Sequence, residues 1–187
     1  MTRTMFYVCC LLLAGCFVPG TYYDPFDEYV RGVRFFDRGD YATAKQIWEP
    51  LAAADDCDAQ FRLGTLYFLA LSVERDVPKA LELWHTAADR GQSRAQTAIA
   101  DVLLMSEKDT QLFCRIGCQG IPADRPAAYQ WYLVAQQRVY YDNDKKYLAS
   151  VIPRARNLLS SDETRSAETS AAVWTPHPND CKPRHLL

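Results

Sequence analysis

The sequence predicts an all-helical fold: an α-solenoid of about three stacked helical hairpins, finished by a C-terminal capping helix. Three observations lead there. Short motifs recur at an interval of 36 residues. Within them, apolar residues fall at i, i+3, i+4 and i+7, the stripe of an amphipathic helix. Finally, 187 residues with 49% apolar and 24% charged side chains suit one modest globular domain. That composition sets aside fibrous, low-complexity and polytopic membrane classes. Twenty-one Lys and Arg stand against 23 Asp and Glu, a formal charge of -2, so no basic footprint invites nucleic acid.

The chain opens on a targeting segment. Arg3 precedes an apolar run from Met5 to Gly15, and no acid appears before Asp24. The run falls short of the roughly 20 residues that a helix needs to cross a hydrocarbon core, so residues 1–15 read as a signal peptide rather than a mature anchor. Its end, Leu13-Ala14-Gly15-Cys16, resembles the lipobox of bacterial lipoproteins. The resemblance implies cleavage before Cys16, triacylation of that residue, and residues 16–24 as a lipidated linker. Phe17 follows where an Asp would imply retention in the inner membrane, so the resemblance points to the outer membrane of a Gram-negative cell, facing the periplasm. Three acyl chains, at about 0.8 kcal/mol per buried methylene, give stable anchoring where one would hold only marginally.

The repeats begin near residue 25. Ala59-Gln60-Phe61-Arg62-Leu63-Gly64-Thr65-Leu66-Tyr67 aligns with Ala95-Gln96-Thr97-Ala98-Ile99-Ala100-Asp101-Val102-Leu103, 36 residues on. Asp40, Ala44 and Trp48 align with Asp76, Ala80 and Trp84 at the same interval, and with Asp124, Ala128 and Tyr132 after a further 48. The additional 12 residues fall between Ala95 and Asp124, which places an insertion around residues 107–119. The second helix of each hairpin carries Ala44, Ile47, Trp48, Leu51; Ala80, Leu83, Trp84, Ala87; and Ala128, Trp131, Tyr132, Ala135. Asp40, Asp76 and Asp124 stand where a side-chain oxygen caps free first-turn amides. Pro78 and Pro126 occupy the first turn, where a missing N–H costs little, and Gly91 is placed to close the middle unit in the left-handed conformation. Gly64 and its counterpart Ala100 are small enough for close helix approach. A hairpin alone leaves an apolar face exposed, so neighbours must stack. Residues 139–160, with Leu148, Val151, Ile152 and Ala155, read as the capping helix, kinked or divided at Pro153. Residues 161–187, poor in large apolar side chains, read as a mobile tail.

These residues carry a family resemblance. Ala59-Gln60, Leu63-Gly64-Thr65-Leu66-Tyr67, Asp76-Val77-Pro78-Lys79-Ala80-Leu81-Glu82-Leu83-Trp84, Ala87-Ala88 and Gly91 resemble the Sel-1-like repeat, a branch of the tetratricopeptide superfamily. The unit from Gly120 to Ala135 matches in its second helix, whereas the unit around Gly32 and Asp40 has the shorter turn of the plain tetratricopeptide form. The resemblance spans residues 25–138 and implies a right-handed superhelix whose groove holds a protein or peptide.

Loss of residues 1–15 and lipidation of Cys16 would leave Cys57, Cys114, Cys118 and Cys181, which allow three pairings in an oxidising compartment. Cys114 and Cys118 are close enough in sequence to close a small loop, leaving Cys57 for Cys181. No C-x-x-C redox motif or adjacent His accompanies them, so neither a metal nor a thiol redox site is expected. His85, His177 and His185 are scattered, and no catalytic or nucleotide-binding motif appears; enzyme activity and cofactors are not expected. Tyr129, Tyr140 and Tyr141 break the apolar stripe and are candidate partner contacts. Residues 24–58 carry a balance of -5 and residues 125–156 a balance of +4, which gives the rod two different ends. The reading is a lipid-anchored periplasmic adaptor for an envelope protein or peptide, with the membrane reached through acyl chains. A carbohydrate or peptidoglycan binder using Tyr129 and Tyr140 is the alternative.

Overall fold

The computed structural model describes residues 25–104, 121–177 and 181. Among these residues the chain is wholly helical: α1 (Pro25–Asp37), α2 (Tyr41–Ala53), α3 (Cys57–Leu69), α4 (Val77–Asp89), α5 (Ser93–Leu104), α6 (Arg125–Arg138), α7 (Asp142–Arg156) and α8 (Ser161–Val173). The first six pair as hairpins, α1 with α2, α3 with α4 and α5 with α6. Each second helix also packs on the next first helix, α2 on α3, α4 on α5 and α6 on α7. This is the stacked solenoid expected from the repeats.

The local signals act as their chemistry requires. Asp40, Asp76 and Asp124 accept from the amides of Thr43, Lys79 and Ala127 at 3.1, 2.8 and 3.0 Å. Asp56 caps α3 in the same way, accepting from Ala59 N at 2.9 Å. Gly91 takes φ +92°, and Asp55, its counterpart 36 residues earlier, takes φ +63°. Asp tolerates this region better than most residues with a Cβ. The amides of Asp55 and Asp56 bond back to Ala52 and Leu51 as those of Gly91 and Gln92 do to Ala88 and Ala87. The hairpins close alike as well: Asp76 N donates to Tyr67 O at 3.2 Å and Asp124 N to Leu103 O at 3.0 Å. The 12 extra residues between Ala95 and Asp124 therefore leave the register of unit three intact.

Each unit is locked by one large ring laid across its first helix. Trp48 donates through Nε1 to Tyr29 O at 3.2 Å, and Trp84 to Phe61 O at 3.0 Å. Both rings lie so close to a glycine, Gly32 and Gly64, that a Cβ at either would overlap the indole. In unit three Ala100 and Tyr132 share one core cluster. Buried Gln60 and Gln96 donate to Ala52 O and Ala88 O at 3.2 and 2.9 Å, each tying a first helix to the last turn of the helix before it.

The C-terminal expectation needs correction. Residues 161–173 form a helix rather than a mobile tail, and α8 packs on α6. Ser160 opens it with a capping box: its hydroxyl accepts from Glu163 N, and the Glu163 carboxylate accepts from Ser160 N at 2.8 Å. The Ser160 amide and hydroxyl, which both donate to that carboxylate, hold it below its ordinary range. Thr164, Ala167 and Ala171 form a narrow buried stripe against α6. The capping helix expected over 139–160 is Asp142–Arg156, with Pro153 in its last turn.

Candidate functional site: the row of first helices

The first helices α1, α3, α5 and α7 are linked to one another by side chains that cross between units. Arg62 on α3 donates to the Tyr29 hydroxyl of α1 at 3.3 Å, and its guanidinium lies 5.3 Å from the Phe36 ring centroid. Gln92, at the start of α5, donates to Asp58 on α3 at 2.9 Å and accepts from Ala95 N at 2.9 Å. Burial pushes the Asp58 carboxyl up, opposed by that hydrogen bond and by Arg94 and Arg62.

The densest cluster lies between α5 and α7. Arg94 pairs with Asp144 at 2.6 Å, and its guanidinium sits 4.2 Å from the centroid of the Tyr141 ring, a cation–π distance. The hydroxyls of Tyr132 and Tyr147 both donate to Oδ1 of Asp101 at 2.6 Å. Burial raises the Asp101 carboxyl although both bonds favour its charged form. Burial, with Asp101 beside it, lifts the Tyr147 phenol to about 12 and the Tyr132 phenol further. At neutral pH both phenols stay protonated and can only donate to this carboxylate.

Of the predicted contact residues, Tyr140 and Tyr141 are 40% and 49% exposed at the α6–α7 turn. Tyr129 is corrected: it is 3% exposed, because α8 covers its side of α6 and Glu168 accepts its hydroxyl at 3.2 Å. Tyr147, 43% exposed, joins the surface in its place, held there by its bond to Asp101. Cys57 and Cys181 are joined in a disulfide with a Cα separation of 6.0 Å. Cys16, Cys114 and Cys118 lie outside the described residues. His85 is exposed, with its ring 6.0 Å from that of Trp131, and His177 is exposed on the segment after α8. Among the described residues no group of three His, Cys, Asp or Glu is placed to hold a metal ion, and no helix is long and apolar enough to cross a membrane.

These features define a class of protein, the solenoids built from two-helix repeats, and comparison narrows the class. The Sel1 repeat model matches residues 57–92 and 116–135. The first stretch is the unit with the complete motif; the second starts within the insertion and covers most of α6. The fold is shared with c5321, a protective antigen of uropathogenic Escherichia coli with an SLR fold (TM-score 0.65, 18% identity), over 81% of this chain and 30% of that one. It is shared also with a Sel1 repeat protein from Oxalobacter formigenes (TM-score 0.54, 24% identity), over 80% of this chain and 58% of that one. This chain thus spans less than two thirds of either structure. No curated protein matches it. Among the described residues the chain is an all-helical solenoid of stacked hairpins, and parts of its second and third units match the Sel1 repeat model.

Proposed function

We propose that this protein is a lipid-anchored adaptor, held in the outer membrane through Cys16 and facing the periplasm, that binds an envelope protein or peptide along its first-helix row. One observation carries the binding surface: Tyr140, Tyr141 and Tyr147 are all at least 40% exposed, and Arg94, paired with Asp144, lies over the Tyr141 ring. Tyrosine and arginine are the residues that dominate protein interfaces, since they bring large contact area together with directional polar atoms. The Cys57–Cys181 disulfide supports the compartment, because such bonds persist in oxidising surroundings. The reading requires no cofactor. The carbohydrate alternative loses one of its two aromatics, since Tyr129 is buried.

The test is a photo-crosslinking residue placed at Tyr140 or Tyr141 in intact cells. A reproducible envelope-protein adduct is expected, falling at least tenfold when Tyr147→Ala and Arg94→Ala are added. Failure at both positions would overturn the contact surface. Cys16→Ser should release the chain from membrane fractions, and retention would refute lipidation. Pelleting of the protein with purified sacculi would move the assignment to the carbohydrate reading.

A further inference from the structure

Beyond α8, His177 and Cys181 lie against unit two. His177 N donates to Asp89 O at 2.8 Å and Cys181 N to Arg90 O at 2.7 Å, two carbonyls at the C-terminal end of α4 that have no partner within their own helix. Cys181 packs against the core layer of Cys57, Trp84, Ala87 and Ile99, and its sulfur is bonded to Cys57 at the first turn of α3. Because α8 is docked on α6, the covalent path from α8 to α3 ties unit three and the terminal helices to unit two, while unit one stands outside the loop. A solenoid whose units touch only their neighbours flexes like a spring, and a chord across several units removes that freedom.

We infer that the Cys57–Cys181 bond is a redox latch: oxidised, it holds units two, three and the terminal helices in one arrangement; opened by a dithiol reductant, it lets His177 and Cys181 undock and the stack flex. Cys57 is 7% exposed and Cys181 is partly exposed, so the reductant's thiolate attacks the sulfur of Cys181. A mixed disulfide forms and Cys57 leaves as a thiolate that takes a proton. The second thiol of the reductant then displaces Cys181, which also becomes a thiol, and the reductant departs as its own disulfide, having supplied two electrons. This device is independent of which partner the tyrosine cluster binds.

Hydrogen exchange on the full chain in detergent micelles, with and without dithiothreitol, tests the latch. The His177 and Cys181 amides should exchange at least tenfold faster after reduction, while the amides of Gly39 and Asp40 in unit one and the helical circular dichroism stay unchanged. Spin labels at Thr86 and Ser166 should report a distance distribution that broadens on reduction. The Cys57→Ala/Cys181→Ala variant should match the reduced protein without any reductant. Equal protection of His177 and Cys181 in both redox states would show that they stay docked without the bond, and would overturn the latch. Loss of all helical signal together on reduction would show a global staple rather than a local latch, and would overturn it equally.

Discussion

Units one and two set a tryptophan against a glycine, whereas unit three sets a tyrosine against an alanine. The indole is the wider ring and lies where a Cβ would stand, so Gly32 and Gly64 are required by space rather than by backbone conformation. The phenol of Tyr132 is narrower, which admits Ala100, and its hydroxyl reaches a side chain, Asp101, instead of a backbone carbonyl. A ring that bonds to a backbone carbonyl locks a hairpin to itself. One that bonds to a carboxylate shared with Tyr147 also locks that hairpin to α7. Unit three thus gives up the tight indole seat and gains a polar joint to α7.

The comparison is open to attack in order of expected effect. Trp84→Ala should cost about 3–5 kcal/mol in denaturant unfolding, since it empties a core position and removes the indole bond to Phe61 O. Gly64→Ala should cost about 1–3 kcal/mol by overpacking, and adding Trp84→Tyr should recover part of that loss. Strict additivity of the two changes would show that ring and glycine are not coupled. Tyr147→Phe should cost about 1 kcal/mol through its lost bond to Asp101. Asp55→Gly should stabilise by up to about 1 kcal/mol, because it relieves a positive φ at the cost of an exposed ion pair with Arg90. The pH dependence has a definite sign. Burial raises the folded-state pKa of Asp101, so its contribution is fully present below the ordinary carboxylate range and is lost as pH rises through the raised value. Asp101→Asn should therefore gain stability relative to the parent chain between pH 4 and pH 7. A constant difference across that range would contradict the assignment.

The hairpins are legible in the sequence because one motif repeats with its caps, and a stripe at i, i+3, i+4 and i+7 is a strong periodic signal. The helix Ser161–Val173 is not, since its inward face is Thr164, Ala167 and Ala171, residues too small or too polar to register as an apolar stripe. The signal that could have revealed it is the pair Ser160 and Glu163, a capping box spaced three residues apart. Tyr129 is misread for the same reason: it lies off the stripe of α6, and only the presence of α8 buries it. Tyr140 and Tyr141 are legible as exposed aromatics. Their neighbours Arg94, Asp101 and Tyr147 are not, because the pairs that matter lie 50 and 46 positions apart in the chain, and stacking alone brings them together.

The placement of α8 also bears on how such a rod lengthens. A hairpin duplicated at the turn before Cys57 would meet a ready surface on each side, since α2 already offers α3 the seat that any first helix takes. One appended beyond Arg156 would find that α8 rests on α6 instead of pairing with α7. Growth by duplication is therefore polar: the array can be extended from within its N-terminal half, whereas α8 interrupts the hairpin pattern on the other side.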